Sequence, residues 1–267
     1  MASSKPRYYR PIAEEKLNRN FVTAFARGLA VIQSFGAENR AMTLAQVAER
    51  TGMDRAVARR LLLTLVELGF ARLHERRFEL TTRVLRLAYS FLSSAGFGAS
   101  LQPFLDQLAR SIGETVSLAV LDEAEVVFVA RSDIPGRRLS YVVTTGMRLP
   151  AFSSASGRVL LAYKPRVEVE RLLARTRIVR HTRHTVMLKR EILSLIVESK
   201  VKGYCINYEE LEDGLVSVSV PVFNRAGLVV ATLNASTSSA RANREKLAGE
   251  FVSKLKGMAG ELSSMLP

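Results

Sequence analysis

The 267-residue chain has one cysteine, Cys205, three histidines, and no continuous apolar run of the ~20 residues that a membrane-crossing helix needs. A single cysteine excludes an internal disulfide framework and a cysteine-rich zinc site. The missing apolar run sets membrane insertion aside, and the first residues lack the apolar stretch of a signal peptide, so a cytoplasmic location is expected. Acidic residues are scarce: 25 Asp and Glu stand against 39 Lys and Arg, a net charge of +14 and a pI near 10.4. That balance favours a polyanionic partner or small anions over basic ones. Residues 1–80 carry 14 Lys and Arg against 8 Asp and Glu, so the remainder holds the larger part of the excess. Nucleic acid therefore need not account for all of it. No repeat of fixed period and no low-complexity segment occurs. No acid–base pair, nucleophile with its base, phosphate loop or metal cluster assembles from the motifs, so neither an enzyme nor a cofactor is expected.

What the chain does have is a 48% apolar composition, ample for two ordinary domains. Its most informative stretch is TLAQVAERTGMDRAVARRLLLT, residues 43–64. Thr43 is placed to cap a helix with Gln46 returning the bond, and Leu44, Val47 and Ala48 give that helix one apolar side. Gly52 stands where a left-handed residue ends it. Asp54 is placed to cap a second helix, in which Val57, Leu61, Leu65 and Leu68 are expected to point inward and leave Arg55, Arg59 and Arg60 outside. This is a helix-turn-helix. A recognition helix enters the major groove by its first turns, which makes Arg55, Ala56, Arg59 and Arg60 the residues with reach to base edges. Thr43 and the amides after it are suited to a phosphate.

Residues 1–20 mix Lys5, Arg7, Arg10, Lys16 and Arg19 with no apolar period and read as a flexible basic arm. Phe25, Leu29, Ile32 and Phe35 then mark a helix ending at Gly36. After Gly69, two alternating runs flank His74-Glu75-Arg76-Arg77, a hairpin whose tip offers Arg76 and Arg77 to the backbone or minor groove. The winged helix-turn-helix domain is thus read as 21–81. Thr81 or Thr82 caps a linker helix, and SSAGFGAS resembles a hinge, so 82–99 joins it to a second domain at 100–267.

That second domain alternates differently. A helix through Leu101, Leu105, Leu108 and Ile112 precedes strand-like runs at 115–121, 126–132 and 139–144. Helical patterns follow at 155–163, 166–174 and 188–202, then strands at 215–222 and 228–236 and a last helix from about Ala240 to Met265. The fold class is α+β, with one antiparallel sheet and helices on its faces. His181 and His184 in HTRH have the spacing of one helical face, but no carboxylate or cysteine completes a zinc site. Cys205 reads as a small packed hydrophobe.

In this order the elements resemble the IclR family of bacterial transcriptional regulators over about 21–266. The runs DRAVARRLLLTLVELGFAR, FELTTRVLRLAYSFLSS, MRLPAFSSASGRVLLA and LEDGLVSVSVPVFNRAGLVVATLNAST are most similar to its PcaU, PcaR and PobR branch, which governs aromatic-acid breakdown through the β-ketoadipate route. The resemblance implies a GAF-like α/β effector-binding domain, a homodimer through the DNA-binding domains and a tendency to homotetramers. It implies an effector pocket at Arg138, at Ala155, Ser156 and Gly157, at Asn207, at Leu215 and Ser217, and at Asn234 and Ser236. These residues suit a small aromatic or dicarboxylic acid: a cation for the carboxylate, hydroxyls and amides for orientation, a leucine wall. The expected function is a regulator binding double-stranded operator DNA, an activator that engages RNA polymerase, responding to a carboxylate such as protocatechuate, 4-hydroxybenzoate or β-ketoadipate. The alternatives are a repressor of the same family sensing another organic acid and, disfavoured because no catalytic constellation assembles, an enzyme whose winged helix is an interaction module.

Overall fold

A computed structural model describes residues 20–36, 38–97, 99–136 and 144–266. The chain divides into two units, Met1–Phe91 and Leu92–Pro267. The first contains α1 (Thr23–Gln33), β1 (Ala41–Thr43), α2 (Leu44–Thr51), α3 (Arg55–Glu67), β2 (Ala71–His74) and β3 (Arg77–Leu80). Thr43 makes the expected capping box with Gln46, and Gly52 ends α2 at φ +65°. Asp54 occupies the N-cap of α3, but its side chain accepts no capping bond. The inward face of α3 is Ala58, Leu62 and Leu65, one residue out of step with the expected stripe. Val57 and Leu61 are therefore half-buried and Leu68 is 52% exposed. Ala58 and Leu62 win the core because α2 and the sheet approach from their side, where Val31, Met42, Val47 and Phe78 close around Leu62. α1 ends at Gln33, short of Gly36, and its Phe25 is exposed.

The three-stranded sheet has the order β1-β3-β2, all antiparallel. β2 and β3 form the expected wing, turning through Glu75 and Arg76, both with positive φ. Two left-handed residues are what a two-residue hairpin turn of matching twist requires. β1, which sequence patterning did not separate from α2, adds a third strand. Thr81 caps a short 3-10 turn, Thr82–Val84, that leads into α4 (Leu85–Ser94).

The second unit is built on a six-stranded antiparallel sheet, order β6-β5-β4-β9-β8-β7. Its strands are β4 (Thr115–Asp122), β5 (Glu125–Ser132), β6 (Arg148–Pro150), β7 (Cys205–Tyr208), β8 (Leu215–Phe223) and β9 (Val229–Ser238). The strand expected at 139–144 falls almost wholly outside the described residues. The helices are α5 (Gln102–Ile112), α6 (Ala155–Ala162), α7 (Arg166–Arg175), α8 (Lys189–Lys202), α9 (Arg244–Lys246) and α10 (Val252–Ser263). The last helical stretch begins at Arg244 under an Asn243 cap, later than expected, and passes through a π-turn at Leu247–Phe251.

Period-two alternation sorts the sheet into two unlike faces. Val216, Val218, Val220 and Val222 of β8, with Leu233 and Ala235 of β9, pack with α5 and α10 in the larger core. The opposite face lies beneath α6, and at β8 and β9 it presents serine, threonine and asparagine. Toward β5 this face becomes apolar again, where Ala119 and Phe128 join α6, α7 and α8 in the second core. Charged and polar side chains in a face of this kind must be matched by partners, and those partners define the site.

Candidate DNA-reading face and effector site

At the N-terminus of α2 the backbone N–H of Thr43 donates to Gln46 Oε1 at 2.9 Å, and Thr43 Oγ1 accepts from the Gln46 N–H at 3.4 Å. Helix geometry leaves the amides of Leu44 and Ala45 without intrahelical acceptors, so they, rather than Thr43, remain for an anion. Arg77 is the register partner of Thr43 and donates to Ala41 O at 3.3 Å. It belongs to the sheet beside this helix start, while Arg76 alone holds the wing tip. Arg55, Ala56, Arg59 and Arg60 are all exposed at the first two turns of α3. Arg55 and Arg59 lie one turn apart on the exposed start of α3, whereas Arg60 lines an apolar groove with Val57, Leu61 and Thr64.

The polar face of the second unit is ordered by strand register. Ser219, Asn234 and Ser117 form one row across β8, β9 and β4; Ser217, Ser236 and Thr115 form the next. Ser156 on α6 lies against the first row, its Oγ 2.9 Å from Ser219 Oγ. Ser219 donates to Asn234 Oδ1 at 2.8 Å, and Asn234 Nδ2 donates to Ser236 Oγ at 3.0 Å and Ser117 Oγ at 3.5 Å. One asparagine therefore joins three serines directly, and Ser156 through Ser219, in a largely buried chain. Such a network is stable only while every member is matched, and it orients each hydroxyl.

Asn207 lies opposite Ser217 across β7 and β8 but turns its amide elsewhere. Its Nδ2 donates to Ser153 O at 3.2 Å and to Glu210 Oε1 at 2.8 Å. Glu210 also receives both ends of the buried Arg158 guanidinium and the N–H of the half-buried Val186. Asn207 is thus part of an ion-pair cluster at the border of the floor. Gly157 donates its N–H to Ser154 Oγ, the cap of α6, at 3.1 Å. A Cβ on Gly157 would stand 2.1 Å from Ala151 O, so glycine is there for close packing. Ala155 packs with Val159 and Cys205. Leu215 is half-buried at the start of β8, and its carbonyl accepts from Glu209 N–H at 2.8 Å. Arg138 lies outside the described residues. Sequence reasoning missed Ser117 and Ser219; the alternation that selected Ser217 continues to Ser219 and was the available signal.

HTRH is a turn between α7 and α8 rather than a helix, because Thr182 and Thr185 hydroxyls donate to the Glu209 and Glu210 carbonyls and fold it onto β7. His181 is exposed, and the partial covering of its ring lowers its pKa. Among the described residues no three His, Cys, Asp or Glu side chains converge for a metal. Burial pushes the Cys205 thiol up, which leaves it a packed hydrophobe. No helix among the described residues is long and apolar enough to cross a membrane.

A winged helix-turn-helix followed by an α/β domain with helices on both sheet faces defines a DNA-binding transcriptional regulator with a C-terminal effector-binding domain. The chain belongs to the IclR family: residues 24–75 match the IclR helix-turn-helix domain and residues 89–264 the bacterial transcriptional regulator IclR C-terminal domain. It is 37% identical over 259 residues to the p-hydroxybenzoate hydroxylase transcriptional activator of Acinetobacter baylyi, covering 95% of each chain. It is 35% identical over 247 residues to the Pca regulon regulatory protein of Pseudomonas putida, covering 92% of this chain and 85% of that one. Among solved structures, the inducer-binding domain of an Acinetobacter PobR double mutant in complex with 3-hydroxybenzoic acid is 31% identical with a TM-score of 0.59, covering 62% of this chain and 97% of that one. These relatives are regulators rather than enzymes, and they govern aromatic catabolism.

Proposed function

We propose that the protein activates genes of aromatic-acid breakdown, of the β-ketoadipate type, when its C-terminal domain binds a small carboxylate such as protocatechuate, 4-hydroxybenzoate or β-ketoadipate. The observation that carries this reading is the row of buried hydroxyls and one amide beneath α6, set in a domain whose other core is apolar. Buried polar groups are costly unless they serve a fold or a ligand, and a hydroxyl-lined floor beside the apolar Ala119 and Phe128 suits a ring that carries a carboxylate and a hydroxyl. Ser156, Ser217, Asn234 and Ser236 line it, with Ala155, Gly157, Asn207 and Leu215 shaping its border and Arg138 supplying charge. The relatives' roles in p-hydroxybenzoate and Pca regulation support the same class of ligand.

Residues 21–81 read operator DNA, with Arg55, Ala56, Arg59 and Arg60 at base edges and Thr43, Arg76 and Arg77 at the backbone; 82–99 link them to a sensor at 100–267. The first unit carries a groove of about 800 Å³ lined by Phe25, Leu29, Val57, Leu61, Leu68 and Leu87. With Phe25 68% exposed, this apolar surface supports a homodimer through the DNA-binding domains, and hence paired half-sites. Sensor domains pair such dimers into tetramers, and RNA polymerase is the activator's partner in the cytoplasm. Effector binding shifts the population of operator-competent arrangements by its preference for one of them. A thermal-shift screen with protocatechuate, 4-hydroxybenzoate, β-ketoadipate and small keto acids tests the reading. A melting rise with an aromatic acid, followed by activation of a reporter, supports it; a rise with keto acids only, or ligand-induced repression, contradicts it.

A further inference from the structure

We propose that the outer edge of β7 is a docking groove for an extended, acidic segment of a partner protein, which adds to the sheet as a seventh strand. β7 is the outermost of the six strands and pairs with β8 on one side. Every second residue of an antiparallel strand turns its N–H and C=O away from its partner, so β7 presents an outer row of donors and acceptors. At the other edge of the sheet, β6 carries Arg148 and Pro150, and Arg148 is tied to Asp122 and Glu125. Charge and proline are common protections of an edge against strand addition. β7 reads Cys-Ile-Asn-Tyr and has neither.

A groove of about 310 Å³ follows this edge, with Tyr204, Cys205, Ile206 and Tyr208 along its base. One wall is α8, through Leu195, Glu198 and Lys202; the other is Arg244 of α9 and Ala248 of the π-turn. Ile196 of α8 belongs to the core on one face of the sheet and Leu247 of the π-turn to the core on the other, so the groove wraps the edge itself. A strand laid along it sends alternate side chains to the α8 wall and the α9 wall.

The charges around the groove choose its occupant. Lys202 is paired with Glu198 within α8. Arg244 instead stands over the Tyr208 ring at 5.1 Å, Lys256 over Tyr204 at 5.5 Å and Lys200 over Tyr163 at 5.8 Å. Among the described residues these three cations lean on aromatic rings and pair with no carboxylate. In a chain of net charge +14, a second copy seated here would bring like charge against Arg244. A nucleic acid would meet the cations but leave the row of backbone donors and acceptors without strand partners. An extended segment bearing carboxylates satisfies both, with main-chain bonds to β7 and opposite charge for Arg244.

The test is fluorescence anisotropy of labelled hexapeptides, alternating glutamate with valine, glutamine with valine or lysine with valine, titrated with the full-length protein. In each peptide the polar side chains face one wall and the valines the other. The glutamate peptide should bind at least about tenfold more tightly than the other two. Methylating the backbone nitrogens of its glutamates or of its valines should abolish binding in one case and spare it in the other, because only alternate amides face β7. Arg244→Glu should turn the preference toward the lysine peptide with melting temperature and operator affinity unchanged, and Arg244→Ala should reduce it. No preference for the glutamate peptide in wild type, or the wild-type preference kept in both Arg244 variants, overturns the proposal. So does equal binding of the two methylated peptides, which would reduce the contact to charge alone. Loss of nonspecific DNA binding or of self-association in the Arg244 variants, without peptide binding by wild type, also overturns it and assigns the edge to nucleic acid or to a second copy.

Discussion

Arg158 and Glu210 meet as a bidentate ion pair that is almost wholly buried, with Nη2 to Oε2 at 2.7 Å. The arginine also donates to Phe152 O and the glutamate also accepts from Asn207 and Val186, so the pair ties α6, the turn before it, β7 and the segment before α8 into one node. A buried charge left without its partner is strongly unfavourable. Glu210→Gln keeps shape but removes the charge that Arg158 requires, and it should lower unfolding free energy by about 3–5 kcal/mol, read from urea denaturation. A loss below about 1 kcal/mol would mean that water reaches the pair.

Gly157 and Gly257 should respond oppositely to alanine. At Gly157 the added Cβ meets the Ala151 backbone, which cannot swing aside, so Gly157→Ala should destabilise the domain by several kcal/mol or prevent folding. At Gly257 in α10 nothing lies within 4 Å, and Gly257→Ala should raise stability by roughly 0.5–1 kcal/mol through helix propensity. Equal melting temperatures for the two variants would contradict the packing of α6 on Ala151.

Much of this architecture is legible in the chain, and the boundary of legibility is physical. The Thr43–Gln46 box, the left-handed Gly52 and the wing are local: each depends on residues within a few positions of one another. β1 is a three-residue strand that exists only because β3 pairs with it from far along the chain, and β6 likewise depends on β5. α3 shows how a correct helix still gives a shifted face, because Val57 and Ala58 are both apolar and only the position of α2 and the sheet chooses between them. Ser156, Asn234 and Ser236 could be anticipated as one group, whereas their link to Ser117 could not, because it depends on the pairing of β9 with β4 far along the chain. The Arg158–Glu210 contact spans 52 residues and belongs to the same class.

His181 should give the protein a small pH dependence in the mildly acidic range. The residue is exposed, but the covered part of its ring favours the neutral form, so the folded-state pKa lies below the ordinary 6.5 and the unfolded chain binds the proton more readily. Stability is therefore full above about pH 6.5 and falls as pH drops through that value toward the folded pKa. Melting curves from pH 7.5 to 5 should fall less steeply for His181→Gln than for wild type. Parallel curves would show that the ring is solvated in the fold.

On the DNA side, Arg55→Ala combined with Arg59→Ala should remove specific operator binding while effector binding is retained. One arginine forked onto a guanine contributes about 1–3 kcal/mol of discrimination, so two account for a large part of specific recognition. Arg76→Ala should weaken specific and nonspecific DNA alike and reduce the salt dependence by about one ion. Gel-shift titrations at several salt concentrations separate the two outcomes, and unchanged operator affinity in the double variant would move the reading face elsewhere.

On the proposed function, a carboxylate on the Ser219–Asn234–Ser117 row governs what Arg55, Arg59 and Arg60 do on DNA. Fluorescence anisotropy of a labelled operator, titrated with full-length protein with and without 4-hydroxybenzoate or protocatechuate, measures it most directly. An acid-dependent shift in operator affinity for wild type, abolished in Asn234→Leu with DNA binding otherwise intact, is the predicted result. Identical isotherms with and without every acid, from a wild-type protein that also binds none of them in calorimetry, would contradict the account.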